Sequence, residues 1–290
     1  MSANLGKVVF NGSFFAGKPM ISPLVLTQTR TTISFLMLAL FLLLREGRPA
    51  FRISIKDLGR CLLVGTLGLG GSAFFYYLAI QKATVAIAIT VQYTAPVWVL
   101  TYMALRGRER ATGQRVAAVL LALAGVALTI GLFYSDVRLS AYGVAAAMFA
   151  AFSFSFYNVA AQGLIARHHQ FKVMVYALLG GTLLWLVVNP PWRLAAQHYS
   201  LAQWGFLFLF ACFSMLVPFA CYFTGLKYLD PTRAVVISCL EPVFAILLAV
   251  GFVHETLRGL QIVGVLAVLA ATVLVQLRGR AELPASGTAG

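Results

Sequence analysis

The chain has 290 residues, of which 61% are hydrophobic and only 10% charged, whereas a water-soluble domain carries about 45–50% apolar and about 25% charged residues. That surplus, with a mean hydropathy of +0.89, excludes a single soluble core and points to a bilayer. The net charge of +14 does not argue for nucleic acid, because Lys and Arg sit in short gaps between apolar runs instead of clustering on one folded face.

In chain order, apolar runs of spanning length fall at 3–18, 24–44, 60–80, 84–105, 115–134, 141–165, 172–189, 203–226, 234–253 and 259–277. The first is short and interrupted by Lys7 and Asn11, and no basic, apolar and cleavage pattern reads as a removable signal. Residues 278–290 read as a disordered cytoplasmic tail. The gaps after the second, fourth, sixth, eighth and tenth runs hold 15 Lys and Arg, and the other gaps hold five. Basic residues favour the cytoplasmic side, so the expectation is a multi-pass inner-membrane protein with both termini in the cytoplasm. These basic loops then face anionic lipid headgroups, which explains the charge without a polyanionic partner.

The chain also resembles itself at an offset of 146. Tyr76-Tyr77 matches Tyr222-Phe223, Ala88 matches Ala234, Pro96-Val97 matches Pro242-Val243, Glu109 matches Glu255 and Gly113 matches Gly259. Two five-span halves, 1–134 and 139–277, follow. Five is odd, so the second half enters the membrane from the opposite side, and a pseudo-twofold axis in the membrane plane relates the halves.

Leu240-Glu241-Pro242-Val243-Phe244 with His254-Glu255, and Tyr93-Thr94-Ala95-Pro96-Val97 with Arg108-Glu109, resemble the ends of EamA-type domains in the drug/metabolite transporter superfamily. Asn11-Gly12-Ser13-Phe14-Phe15 resembles that family's W-G-S-x-F, with Asn11 in place of Trp. The resemblance implies an all-α membrane protein of ten transmembrane helices, arranged as two inverted five-helix repeats around a central cavity. Helices 1, 3, 4, 6, 8 and 9 would line that cavity. It also implies an exporter of small metabolites.

Candidate substrate-cavity residues are Asn11, Ser13, Phe14, Tyr77, Gln92, Tyr93, Ser155, Asn158, Tyr222, Ser238 and Glu241. Glu241 is the one acid well inside an apolar run, where a charge costs about 2.5–3.5 kcal/mol, so it faces a cavity or a partner. It is a candidate for proton coupling, or a neutral Glu bonded to a neighbouring helix. Pro96 and Pro242 each remove a helical hydrogen bond and are candidate hinges, or fixed bends. Gln92 and Ser238 stand four residues before them, on the same helix face, and would flank a substrate or glue helices together. Ser155 and Asn158 share a face with the same two readings. Tyr77 and Tyr222 either line the pore or belong to an interfacial belt. Arg30 is a snorkelling anchor or a cavity cation. One such cation does not suit phosphorylated cargo, so amino acids and similar neutral or zwitterionic metabolites are expected.

No phosphate-cradling motif supplies ATP-driven pumping. His168, His169, His198 and His254 fall in gaps, and Cys61, Cys212, Cys221 and Cys239 form no C-x-x-C pair, so no metal, cofactor or catalytic residue is expected. The expected function is secondary transport by alternating access. A membrane receptor or scaffold, or a facilitative channel, is the alternative. The partners are a small-molecule substrate and membrane lipid. The oligomeric state is left open, a monomer included.

Overall fold

The computed structural model describes residues 21–83, 85–132, 140–253 and 259–277. The expected first span, the His254-Glu255 pair and the tail 278–290 lie outside these residues. All regular structure among them is helical, as lipid requires of a chain whose backbone groups must pair within each segment. The helices are α1 (Pro23–Glu46), α2 (Ile55–Leu63), α3 (Gly71–Lys82), α4 (Val85–Gln92), α5 (Ala95–Leu105), α6 (Gly113–Thr129) and α7 (Ala141–Ile165). They continue as α8 (Gln170–Val188), α9 (Pro191–Ala195), α10 (Leu201–Ala211), α11 (Val217–Leu226), α12 (Pro231–Ser238), α13 (Leu240–Val253) and α14 (Gly259–Gln276). Among the described residues eight helical stretches are long and apolar enough to cross a membrane, and α6 is a shorter apolar helix. The protein is therefore an all-α, multi-pass membrane protein.

The repeat extends from residue types to backbone features. Ser54 and Ser200 cap the helices that follow them, accepting from the amides of Asp57 and Gln203. Two π-helical segments, Val64–Gly70 and Cys212–Leu216, end together at the 146-residue offset and hand over to α3 and α11. The fourth span breaks at 93–94 and the ninth at 239, positions matched by the same offset. Two sequences that differ at most positions thus interrupt their helices at the same places.

Helices group into two compact units, and each draws on both halves of the chain. One holds Met1–Gln92 and Asp136–Leu229, the other Tyr93–Ser135 and Asp230–Gly290. In the first unit, the Val64–Gly70 segment packs on α7 and α8, α1 packs on α8 and α10, and α3 and α4 pack on α7. Backbone approach there depends on missing side chains: a Cβ on Gly65 would overlap the Ala177 carbonyl, and one on Gly180 would overlap the Leu62 carbonyl. In the second unit α6 packs along its repeat counterpart α14. A Cβ on Gly125 would lie 2.8 Å from Val268 Cγ2, and one on Gly264 would lie 2.5 Å from the Thr129 amide nitrogen. Small residues let backbones come this close where lipid supplies no hydrophobic drive between helices. Ala118, Ala122, Val126, Val236, Val243 and Val268 complete that core.

Gly65→Ala should therefore destabilise the protein by about 1–3 kcal/mol through overpacking, read as a lower melting temperature in detergent. Gly163→Ala, which meets open space, should leave it within about 1 kcal/mol of the parent. Equal melting temperatures for the two variants would contradict the packing described.

Candidate functional site

The second unit brings residues from the two breaks together. Tyr93, in the first break, donates its hydroxyl to Glu241 Oε2 at 3.1 Å. Glu241 stands in the first turn of α13, just after the second break, and its side chain is exposed. Among the described residues no Lys, Arg or His forms an ion pair with it. A charged side chain facing hydrocarbon would be costly.

The prolines sit differently from kinks inside continuous helices. Pro96 occupies the first turn of α5 and Pro242 the first turn of α13, where a missing N–H is tolerated and φ is already suited to a helix. Each nevertheless withholds the donor that the carbonyl four residues earlier would receive, at Gln92 and Ser238. The Ser238 hydroxyl turns back to its own helix, donating to the Val235 carbonyl at 2.7 Å.

The first unit collects the remaining polar candidates. The Tyr222 hydroxyl donates to Asn158 Oδ1, and Asn158 Nδ2 donates to the Phe154 carbonyl at 2.7 Å. Tyr157 stacks between Phe154 and Tyr222 at interplanar angles of 18° each and meets the edge of Phe223. Its own hydroxyl is buried without a hydrogen-bond partner. Ser155 lies buried beside Asn158 and donates to the Ala151 carbonyl at 2.7 Å. Tyr77 accepts from Thr27 at 2.8 Å, and Gln92 Nε2 donates to Ser72 Oγ at 3.0 Å. Tyr77, Gln92, Asn158 and Tyr222 thus all bond between helices. Asn11, Ser13 and Phe14 lie outside the described residues.

Several functional-looking groups had no clear sequence signal. The run Thr27–Ser34 gives α1 a buried polar face, where Gln28 and Asn189 bond reciprocally at 2.7 and 2.6 Å. Arg30 Nε is buried there without a partner, so that atom is not carried to water by snorkelling. The Thr, Gln and Ser spacing was visible in the sequence, but its burial was not.

Ion pairs tie together gaps assigned to one side of the membrane. In the first unit Asp57 meets Arg60 at 2.9 Å, His168 at 3.0 Å and Arg167 at 3.4 Å, while Lys172 donates to the Arg52 carbonyl at 3.1 Å. In the second, Arg115 binds Glu109 at 2.6 Å and Asp230 at 3.0 Å, and Gln114 donates to the Leu274 and Leu277 carbonyls at 2.6 and 2.8 Å. Burial pushes the Glu109 carboxyl above its usual range, against the opposing pull of Thr232 and of the Arg115 charge.

Two stretches, residues 7–131 and 141–277, match the family described as EamA-like transporter family. The chain is 28% identical over 214 residues to the threonine/homoserine exporter RhtA of Salmonella typhimurium strain SL1344, covering 73% of this chain and 69% of that protein. It is 26% identical over 268 residues to the uncharacterized inner membrane transporter YicL of strain LT2, covering 88% and 85%. A solved crystal structure superposes with a TM-score of 0.74 at 22% identity, covering 95% of this chain and 92% of that one, and shares its fold.

Removing one member of the buried ion pair should be costly. Arg115→Met leaves Glu109 without its partner and should lower stability by about 3–5 kcal/mol. Arg115→Met combined with Glu109→Gln should recover much of this. A carboxyl whose folded pKa is raised contributes stability below its unfolded pKa and loses it as pH rises through the folded value. The single variant's deficit should therefore shrink on acidification toward the ordinary carboxylate range. Melting curves in detergent across pH check both statements.

Proposed function

We propose that this chain, which belongs to the EamA-like transporter family, is a secondary transporter exporting small amino-acid-like metabolites across the inner membrane by alternating access. The observation that carries this reading is the pair of span breaks at 93–94 and 239, one in each half, each followed by a helix with proline in its first turn. Broken intramembrane helices are tolerated where they serve a polar site, and a repeated break provides two equivalent joints. Pro96 and Pro242 keep the downstream segments separate from the upstream ones. Exchange of conformation between inverted halves would then open the site to either side in turn. Glu241 is the coupling group: it takes up a proton in one state and releases it in the other. Similarity to an exporter of threonine and homoserine supports amino acids as the cargo.

The basic gaps and the ion pairs support a cytoplasmic placement of both termini. Asp57 joins the gap after the second span to that after the sixth, and Arg115 joins the fourth gap to the eighth. Each pair joins gaps on the side proposed to be cytoplasmic, as an inverted arrangement requires.

In proteoliposomes, wild-type protein should accumulate labelled threonine under an imposed pH gradient, and Glu241→Gln should abolish that accumulation. Unchanged accumulation by the variant would remove Glu241 from coupling. Downhill flux without accumulation in the wild type would indicate a facilitative pathway. Single cysteines introduced by Arg48→Cys and Arg193→Cys should react with an impermeant thiol reagent from opposite faces of the membrane; labelling from one face would reject the inverted arrangement.

A further inference from the structure

In the first unit, α1 carries Thr27, Arg30, Ser34 and Met37 at three- and four-residue spacing, which puts them on one helix face. Three of the four reach neighbouring spans. Thr27 donates to the Tyr77 hydroxyl of the third span at 2.8 Å, and Ser34 donates to the Ala211 carbonyl of the eighth at 3.3 Å. Cys212 Sγ donates to Met37 Sδ at 3.6 Å. Thr27 and Ser34 are buried, and the exposed leucines Leu36 and Leu40 lie off this stripe. Arg30 therefore leaves α1 on its protein-facing side, between the contacts to the third and eighth spans.

The Arg30 guanidinium has no partner among the described residues. Its Nε is buried without a hydrogen bond. Asp57, Glu109 and Asp230 pair with other bases, and the cation–π contacts belong to Arg45, Arg106 and Lys227. The polar side chains next to it in sequence are engaged elsewhere: Thr29 and Thr31 donate to carbonyls of their own helix at 2.7 and 2.8 Å, and Gln28 is matched with Asn189. Arg30 as a whole is partly exposed, so a small ligand can reach it.

We infer that the Arg30 guanidinium is a subsite for a carboxylate, so that the cargo is a carboxylic acid anchored through its acid group. The inference rests on the transport reading above and deepens it by naming the group of the cargo that is recognised. A guanidinium does not give up its proton in a protein, so neutralisation cannot relieve its burial, and a buried charge without a partner is costly. A carboxylate supplies the missing negative charge. Its two oxygens match the edge of the planar fork formed by Nε–H and one terminal N–H. Such a charge-assisted, two-pronged contact fixes orientation as well as adding affinity. Cargo without an acid group would leave the fork empty.

Threonine and threoninamide differ in one group, the amide standing in place of the carboxylate. Purified full-length protein in detergent should bind threonine, seen by calorimetry and by a raised melting temperature. It should bind threoninamide roughly tenfold or more weakly, as expected when a hydrogen bond to a charged group is lost. Arg30→Gln should weaken threonine binding by a similar factor and leave threoninamide binding little changed, so that the two ligands become nearly equal. Arg30→Lys, which keeps the charge without the fork, should restore part of the preference. A residue that only shaped the site would weaken both ligands alike. Ligand-free Arg30→Met, which keeps an apolar stem and removes an unpaired charge, should melt no lower than wild type. Equal affinity of the wild type for the two ligands overturns the proposal whether or not the variants fold. So does a wild type that binds no threonine, a preference for threonine that survives Arg30→Gln, or a lowered melting temperature of ligand-free Arg30→Met. Threonine binding that depends on Arg30 without any flux in proteoliposomes would fail the transport reading and leave the subsite. Equal flux of threonine and threoninamide through both wild type and Arg30→Gln would do the reverse.

Discussion

The constraint on which the rest depends is that a segment crossing hydrocarbon must pair its own backbone groups. Against that constraint, each interruption in a spanning helix is costly and calls for a compensating arrangement. This chain has interruptions of two kinds, π-helical segments in the third and eighth spans and breaks in the fourth and ninth. Both kinds recur at the same offset in sequences whose side chains have diverged widely. Backbone geometry is thus what the two halves share most closely.

Compensation comes from close packing and from side-chain donors. The Val64–Gly70 segment is pressed against α7 and α8 where Gly65 and Gly180 remove the Cβ atoms that would separate the backbones. The polar side chains around it pair off locally: Tyr222 with Asn158, Thr27 with Tyr77, Gln92 with Ser72, Gln28 with Asn189. Interhelical hydrogen bonds in membranes contribute modestly one by one, on the order of 0.6 kcal/mol. Their larger effect is to specify which helix faces which. The buried Glu109–Arg115 pair acts in the same way at the membrane edge, since removing one partner costs far more than the pair itself contributes.

Much of the fold was legible in residue order because hydropathy and bilayer thickness act on windows of about 20 residues. Matched prolines, glycines and aromatics revealed the duplication for the same reason: each marks a backbone requirement that does not tolerate substitution freely. Other features could not be read this way. No periodicity distinguishes a π-helical segment from an α-helix, so Val64–Gly70 carries no sequence mark of its form. Pairings across long sequence separations, such as Arg115 with Asp230 or Gln28 with Asn189, are set by packing and leave no local trace. Tyr93 and Glu241 were each conspicuous separately. Their meeting depends on how the two broken spans pack, which neither sequence stretch encodes alone.

Duplication accounts for architecture, and departures from it are where chemical selectivity must reside. If both halves carried the same side chains at their breaks, the opening between them would be chemically symmetric, and an amino acid, with opposite charges at its two ends, would have no preferred orientation. Glu241 opposite Ala95, Cys239 opposite Tyr93 and Ser238 opposite Gln92 break that symmetry within one helical turn. A single acidic group is also the number that electrostatics favours. Two carboxylates close together in a low-dielectric site would raise each other's proton affinity and hold one proton between them, a coupling that a single carboxylate avoids.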